Sequence, residues 1–198
     1  MKNVLFVVSI VVLLCFTFGC QNKAEKAELE KFRAQAEIEK QNEAVVRQVF
    51  EAIDAQDFAR FQELLVPEII GHYSGPQEDL TLDSTIQLIK TFYQAFPDYS
   101  HSVEDVFAKG DKVAIRILQQ ATQKAEFQGI PPGNKISYYQ ISIMQVKDGK
   151  VIDWWVVEDN LGMMTQLGLE LMPKQAEKNS FRPNPNWLVE HAGSEPFI

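Results

Sequence analysis

The chain contains only two cysteines, Cys15 and Cys20, and none beyond residue 20. A fold built from the rest therefore holds no disulfide and depends on a packed core. With 45% hydrophobic residues, enough apolar side chain is present to form one. Basic residues are also scarce: 19 Lys+Arg stand against 27 Asp+Glu, a net charge of −8. The attraction to phosphate backbones that drives nucleic-acid binding is missing, which excludes a DNA or RNA partner. Three histidines, His72, His101 and His191, are too scattered to argue for a metal site. His101 and His191 have no evident partner in the sequence and read as surface residues. No apolar run reaches the roughly 20 residues of a spanning helix. A length of 198 residues suits one domain with appendages.

What is present begins with a secretion signal. Lys2 supplies the positive end, an uncharged and largely apolar run follows from Val4 to Phe18, and polar sequence begins at Gln21. The closing residues Thr17-Phe18-Gly19-Cys20 resemble a bacterial lipobox, with Thr17 where Leu is usual and Phe18 where a small residue is usual. The resemblance implies a lipoprotein-type signal over 1–19, acylation of Cys20 and anchoring to a membrane of the bacterial cell envelope after export. An ordinary secretory signal with an incidental cysteine is the alternative.

Residues 20–41 form a charged tether rich in Ala, Glu, Lys and Gln, which favours helix. Glu28/Lys31 and Glu37/Lys40 are spaced to meet on its surface. From Asn42 the positions of Val45, Val46, Val49, Phe50 and Ile53 predict an amphipathic helix, and Phe58, Phe61, Leu64 and Leu65 a second. Asp83-Ser84 can cap a third, carrying Ile86, Ile89, Phe92, Tyr93 and Phe96 up to Pro97. Beyond Pro97 the period falls from about 3.6 to 2. Strands are expected over 100–108, around Val113, Ile115 and Ile117, over 136–146 and over 151–159, with a tight Asp148-Gly149 turn before the last. A short helix is expected over 161–167. Helices followed by an antiparallel meander predict an α+β layer fold over 42–172. The Pro-containing segment 173–198 reads as an extended tail on which Phe181, Trp187 and Leu188 could still dock.

Three segments resemble the SnoaL-like polyketide ester cyclases in order and spacing. They are Phe96-Pro97-Asp98 through Val103-Glu104-Asp105 to Gly110-Asp111-Lys112-Val113, then Glu126 to Gly133, then Asp148-Gly149-Lys150-Val151-Ile152-Asp153-Trp154-Trp155 with Asp159-Asn160-Leu161-Gly162-Met163-Met164. The resemblance implies a cone of the nuclear transport factor 2-like (NTF2-like) kind, in which three N-terminal helices pack on a strongly curved antiparallel sheet around a deep pocket. It also implies acid/base chemistry beside a carbonyl, with no cofactor and no metal.

By the same resemblance Asp159 is the catalytic carboxylate and His72 a histidine near the pocket mouth. Alternation along the last strand puts Asp153, Trp155, Val157 and Asp159 on one face, which would make Trp155 and Val157 pocket residues beside Asp159. Asp159 can equally cap the helix that follows, and His72 can equally face solvent. Gln123 stands where relatives have a histidine; its amide can donate a hydrogen bond but cannot transfer a proton at neutral pH. Of the neighbours Trp154/Trp155 and Tyr138/Tyr139, one of each pair enters the core and the other faces away; Tyr139 is a candidate binding residue, and either tyrosine could be an oxyanion donor.

Two functions fit. One is an exported ester-cyclase-type enzyme acting on a small hydrophobic carbonyl compound; the other is a non-catalytic envelope module holding a lipid, an apolar metabolite or a peptide. Asp159 facing a closed apolar cavity would favour chemistry, and Asp159 engaged only as a cap would favour binding. The exposed face of the sheet leaves a homodimer open.

Overall fold

A computed structural model of the chain describes residues 2–74 and 79–169, with the side chains of residues 2–22 and 24 outside the description. The expected tail over 173–198 lies outside the described residues, as does His191. Four helices pack on a six-stranded sheet, in the order α1 (Lys2–Asp54), α2 (Phe58–Leu64), β1 (Ile70–Tyr73), β2 (Leu80–Thr81), α3 (Leu82–Ala95), β3 (Ser100–Lys109), β4 (Lys112–Thr122), β5 (Lys135–Lys147), β6 (Lys150–Glu158) and α4 (Asn160–Gln166). The expected α+β architecture is present. The tether and the first domain helix are one continuous helix, since no Gly or Pro interrupts residues 20–54.

The sheet runs β2-β1-β6-β5-β4-β3. Four of its five pairings are antiparallel, and the fifth, β1 on β6, is parallel, aligning His72 with Trp155. The sheet is therefore mixed and open rather than wholly antiparallel. The β5–β6 hairpin closes through Asp148 and Gly149, whose positive φ angles of 51° and 75° suit the two central positions of a tight turn. Thr81, rather than Asp83-Ser84, caps α3: its hydroxyl accepts from the Ser84 amide at 3.3 Å.

One face of the sheet holds the core. Val113, Ile115 and Ile117 of β4, Met144 and Val146 of β5, and Val151, Trp154 and Val156 of β6 pack against Val46, Val49, Phe50 and Ile53 of α1 and Phe61 and Leu64 of α2. α1 is fastened to the far edge by polar contacts. Asn42 donates to the Gly110 carbonyl at 2.9 Å, and the Glu43 and Glu39 carboxylates accept from the Ala108 and Gly110 amides at 3.0 and 2.8 Å.

The phase of β6 is set by a bulge. Val146 pairs with Val151 and Gln145 with Asp153, so Ile152 is an extra residue with no partner. An extra residue reverses which side chains face inward. Val151 points in, and past the bulge Trp154 and Val156 are buried while Trp155 and Val157 are 55% and 58% exposed. Asp153, Trp155, Val157 and Asp159 do share a parity, but it is that of the outer face.

Candidate functional site

Between the helices and the inner face of the sheet lies a half-open cavity of about 400 Å³. Phe50 of α1, Ile89 and Phe92 of α3, Met163 of α4 and Leu167 just after it make its walls apolar. Its polar groups on the sheet side include Tyr99 just before β3, His101 of β3, Tyr138 and Gln140 of β5, and Glu158 of β6, and Gln128 and Asn160 add to them from the loop and α4. Two rows across the sheet bring them together. Val103, Ile117, Gln140 and Glu158 are in register across β3 to β6, and His101, Gln119 and Tyr138 form the next row.

Beneath the cavity runs a chain of buried hydrogen bonds. The Tyr99 hydroxyl donates to Gln119 Oε1 at 2.5 Å, the Gln119 amide donates to Gln140 Oε1, and the Gln140 amide donates to Ser142 Oγ at 2.7 Å. The Trp154 indole donates to the same Ser142 oxygen at 3.1 Å. Gln119, Gln140 and Ser142 are almost wholly buried, and among the described residues no buried side-chain nitrogen or oxygen lacks a partner. A satisfied network of this kind holds its members in one arrangement.

Glu158 ends β6 at the edge of this network, accepting a long 3.4 Å contact from Gln119 Nε2. Burial pushes its carboxyl above the usual carboxylate range, partly opposed by the Gln119 hydrogen bond and by the charge of His101. Burial, with the Glu158 charge added, also drives the Tyr73, Tyr99 and Tyr138 hydroxyls far above their ordinary range. All three remain protonated and available as hydrogen-bond donors. Opposite, the His101 side chain is only 4% exposed, and its Nδ1 lies 2.6 Å from Asp54 Oδ1 at the end of α1. Phe50 and Tyr99 flank the ring at centroid distances of 5.4 and 4.6 Å. The expectation that His101 is a partnerless surface residue is thus corrected: its partner is 47 positions earlier in the chain.

The residues expected to form the site are distributed differently. Asp159 is exposed and caps α4, its Oδ1 accepting from the Gly162 amide at 2.8 Å. A Cβ at position 162 would come within 2.2 Å of Asp159 Oδ2, so a side chain there would displace the capping carboxylate. Trp155, Val157 and Tyr139 lie on the outer face, on the solvent side of the pleat set by the bulge. His72 is on that face too, stacked on Trp155 at 4.2 Å, with Nδ1 2.8 Å from Asp79 and Nε2 3.1 Å from Asp153. Gln123 is fully buried but does not line the cavity. Its amide nitrogen donates to the Ile130 and Ala125 carbonyls and its Oε1 accepts from Asn134, so it holds the 123–134 loop together. Among the described residues no group of three or more His, Cys, Asp and Glu is placed to hold a metal ion.

The cap separates two demands on Asp159. Asp159→Asn retains an oxygen acceptor and should leave thermal stability nearly unchanged, whereas Asp159→Ala should cost about 1 kcal/mol. Equal losses in the two variants, measured by denaturant titration, would show that charge rather than capping matters here.

Sequence reasoning missed Glu158, Gln119, Gln140 and Ser142, although a signal was there. Gln119 continues the inward phase of Val113, Ile115 and Ile117, and Gln140 and Ser142 share the phase of Met144 and Val146. Polar residues interrupting the buried phase of successive strands mark a cavity with a polar lining.

An open cone of helices on a curved sheet, with a mainly apolar cavity and a few polar groups at its floor, defines the class. Residues 43–167 match the SnoaL-like polyketide cyclase family model, and the chain belongs to that family. Among solved structures it is similar to IdmH, a candidate polyketide cyclase from Streptomyces antibioticus (26% identity, TM-score 0.61, 65% of this chain and 99% of that one). It is also similar to AclR, a candidate hydroxylase from Streptomyces galilaeus (26% identity, TM-score 0.60, 68% and 97%). A candidate SnoaL-like polyketide cyclase from Jannaschia sp. CCS1 shares the fold (24% identity, TM-score 0.60, 68% and 96%). Among curated proteins, none matches the chain.

Proposed function

We propose that the cone takes up a small, largely apolar carbonyl compound and moves protons on it through the Glu158 carboxyl. The protein would act in the bacterial envelope, exported by its N-terminal signal and anchored through Cys20. The observation that carries the chemical part is the position of Glu158, a carboxyl with a raised pKa in the apolar cavity, ringed by neutral tyrosine hydroxyls. A carboxyl that stays protonated further up the pH scale can donate to a carbonyl oxygen and take the proton back, which is the demand of enolisation and of aldol-type ring closure. Family membership and the likeness to IdmH support a cyclase-type or binding function. Glu158 replaces Asp159 in the catalytic role, because Asp159 faces away from the cavity.

The engagement of Asp159 as a cap favours a second reading, in which the cone only holds its ligand. The outer row Tyr139, Ile141, Ile143, Trp155 and Val157 is the surface a second copy would use if the protein dimerises.

The probe that separates catalysis from holding is 2-tetralone, a bicyclic ketone with an exchangeable α-position. The protein is expected to accelerate washout of α-deuterium from the ketone in ordinary water, followed by proton NMR. 2-Naphthol, a planar analogue of its enol, is expected to inhibit. Binding of 2-naphthol without any acceleration would defeat the catalytic reading and leave the holding module.

A further inference from the structure

Glu158 by itself supplies only half of an enolisation, because the proton leaving carbon needs a base while the carbonyl oxygen receives one. We propose that His101, oriented by Asp54, is that base, and that the cavity works as a His101/Glu158 pair acting on opposite ends of one enolisable unit. This inference rests on the reading of the cavity as a proton-transfer site.

Three observations carry it. The first is the His101–Asp54 contact. Asp54 Oδ1 sits 2.6 Å from Nδ1, and its Oδ2 accepts the His101 backbone amide at 3.2 Å, so both carboxylate oxygens are committed to one residue. A carboxylate can only accept, so the neutral ring keeps its proton on Nδ1 and leaves the lone pair on Nε2. The second is the open side of the ring. His101 lines the cavity, yet Nε2 has no hydrogen-bond partner among the described residues; since no buried side-chain polar atom there is unpartnered, Nε2 keeps some open surface on a ring that lines the cavity. The third is convergence. β3 and β6 are three strand spacings apart, about 14 Å in a flat sheet, yet His101 and Glu158 both line the same cavity.

Other groups near the ring fit this role. Tyr93 donates its hydroxyl to the Ile53 carbonyl at 3.0 Å, one residue before Asp54, and Tyr99 packs edge-on against the imidazole. Burial keeps both phenols protonated, so neither competes as a base. Among the described residues no lysine or arginine lines the cavity.

In the reaction the α-C–H bond breaks and its proton passes to His101 Nε2. The electron pair of that bond becomes the C=C bond of the enol, and the carbonyl π pair moves onto oxygen. The oxygen takes the proton of the Glu158 carboxyl. The pair is left as imidazolium and carboxylate, and return of a proton to carbon with transfer back from the enol restores both. Exchange of the imidazolium proton with solvent before return produces isotope washout. Asp54 touches no substrate and is a positioning residue.

The test uses the full chain with 2-tetralone and 2-naphthol. His101→Gln should lower deuterium washout at least about 100-fold while 2-naphthol still binds. In ¹⁵N NMR the neutral ring should carry its proton on Nδ1, and Asp54→Ala should move that proton to Nε2 and slow washout in parallel. Wild-type washout in His101→Gln, or a wild-type ring protonated on Nε2, overturns the assignment of His101 and leaves Glu158 untouched. If the wild-type protein itself fails to accelerate washout, the reading of the cavity falls and this inference falls with it.

Discussion

Glu158→Gln should abolish most deuterium washout from 2-tetralone and, at the same time, make the folded protein more stable at neutral and alkaline pH. Glutamine fills the same volume and still accepts from Gln119, but it has no proton to give. The loss of general acid should lower the rate by about 100-fold or more. The stability effect follows from linkage. The ordinary value of this carboxyl is 4.5, and the folded state raises it, chiefly by burial. Above that ordinary value the unfolded chain has released the proton while the folded chain still binds it. Stability from this group is therefore complete below about pH 4.5 and is lost as pH rises through the raised value. Glutamine carries no such dependence. Thermal unfolding of the two proteins between about pH 4 and pH 9 should give midpoints that separate progressively with pH, in favour of the variant. Parallel curves would mean that Glu158 ionises at its ordinary value and that the cavity does not hold a neutral acid.

Cys20→Ala should transfer the protein from the membrane fraction to the soluble envelope fraction of a bacterial host. The argument turns on length. Val4 to Phe18 would rise only about 22 Å as a helix, short of the roughly 30 Å hydrocarbon core, and no helix among the described residues is long and apolar enough to cross a membrane. On the lipoprotein reading, retention comes from acyl chains at Cys20, each contributing about 0.8 kcal/mol per buried CH₂; one chain holds only reversibly and two or more hold stably. A Cys20→Ala protein that is exported yet still sediments with membranes would defeat the lipoprotein reading and return the apolar run to the role of anchor.

The fold was legible wherever burial had a period. Val46, Val49, Phe50 and Ile53 give helical spacing, and Val113, Ile115 and Ile117 alternate, because each element meets the core along one stripe or face. β1 and β2 were not legible, since four and two residues are too few to show a period and β1 is held by parallel pairing to β6 some 80 positions later. The site was less legible than the fold. His101 finds its meaning in Asp54, and no local pattern links a strand residue to the end of a distant helix. Asp159 and Glu158 are neighbours, and the choice between them depends on the phase of β6, which is decided by pairing with β5 rather than by anything within the strand.

That phase has an evolutionary corollary. With Ile152 present, Glu158 enters the cone and Asp159 caps α4. Deleting Ile152 would take out the one residue without a partner and leave Val151 opposite Val146 and Asp153 opposite Gln145, so the cavity would keep its carboxyl. Closing the bulge with Ile152 retained, so that it pairs with Gln145, would instead carry Asp153, Trp155, Val157 and Asp159 inward and turn Glu158 out. A one-residue slip in pairing could thus hand the acid from glutamate to aspartate without any substitution. For the same reason a gap-free alignment of this strand matches residues by count, where the function follows the side of the sheet on which each one lands.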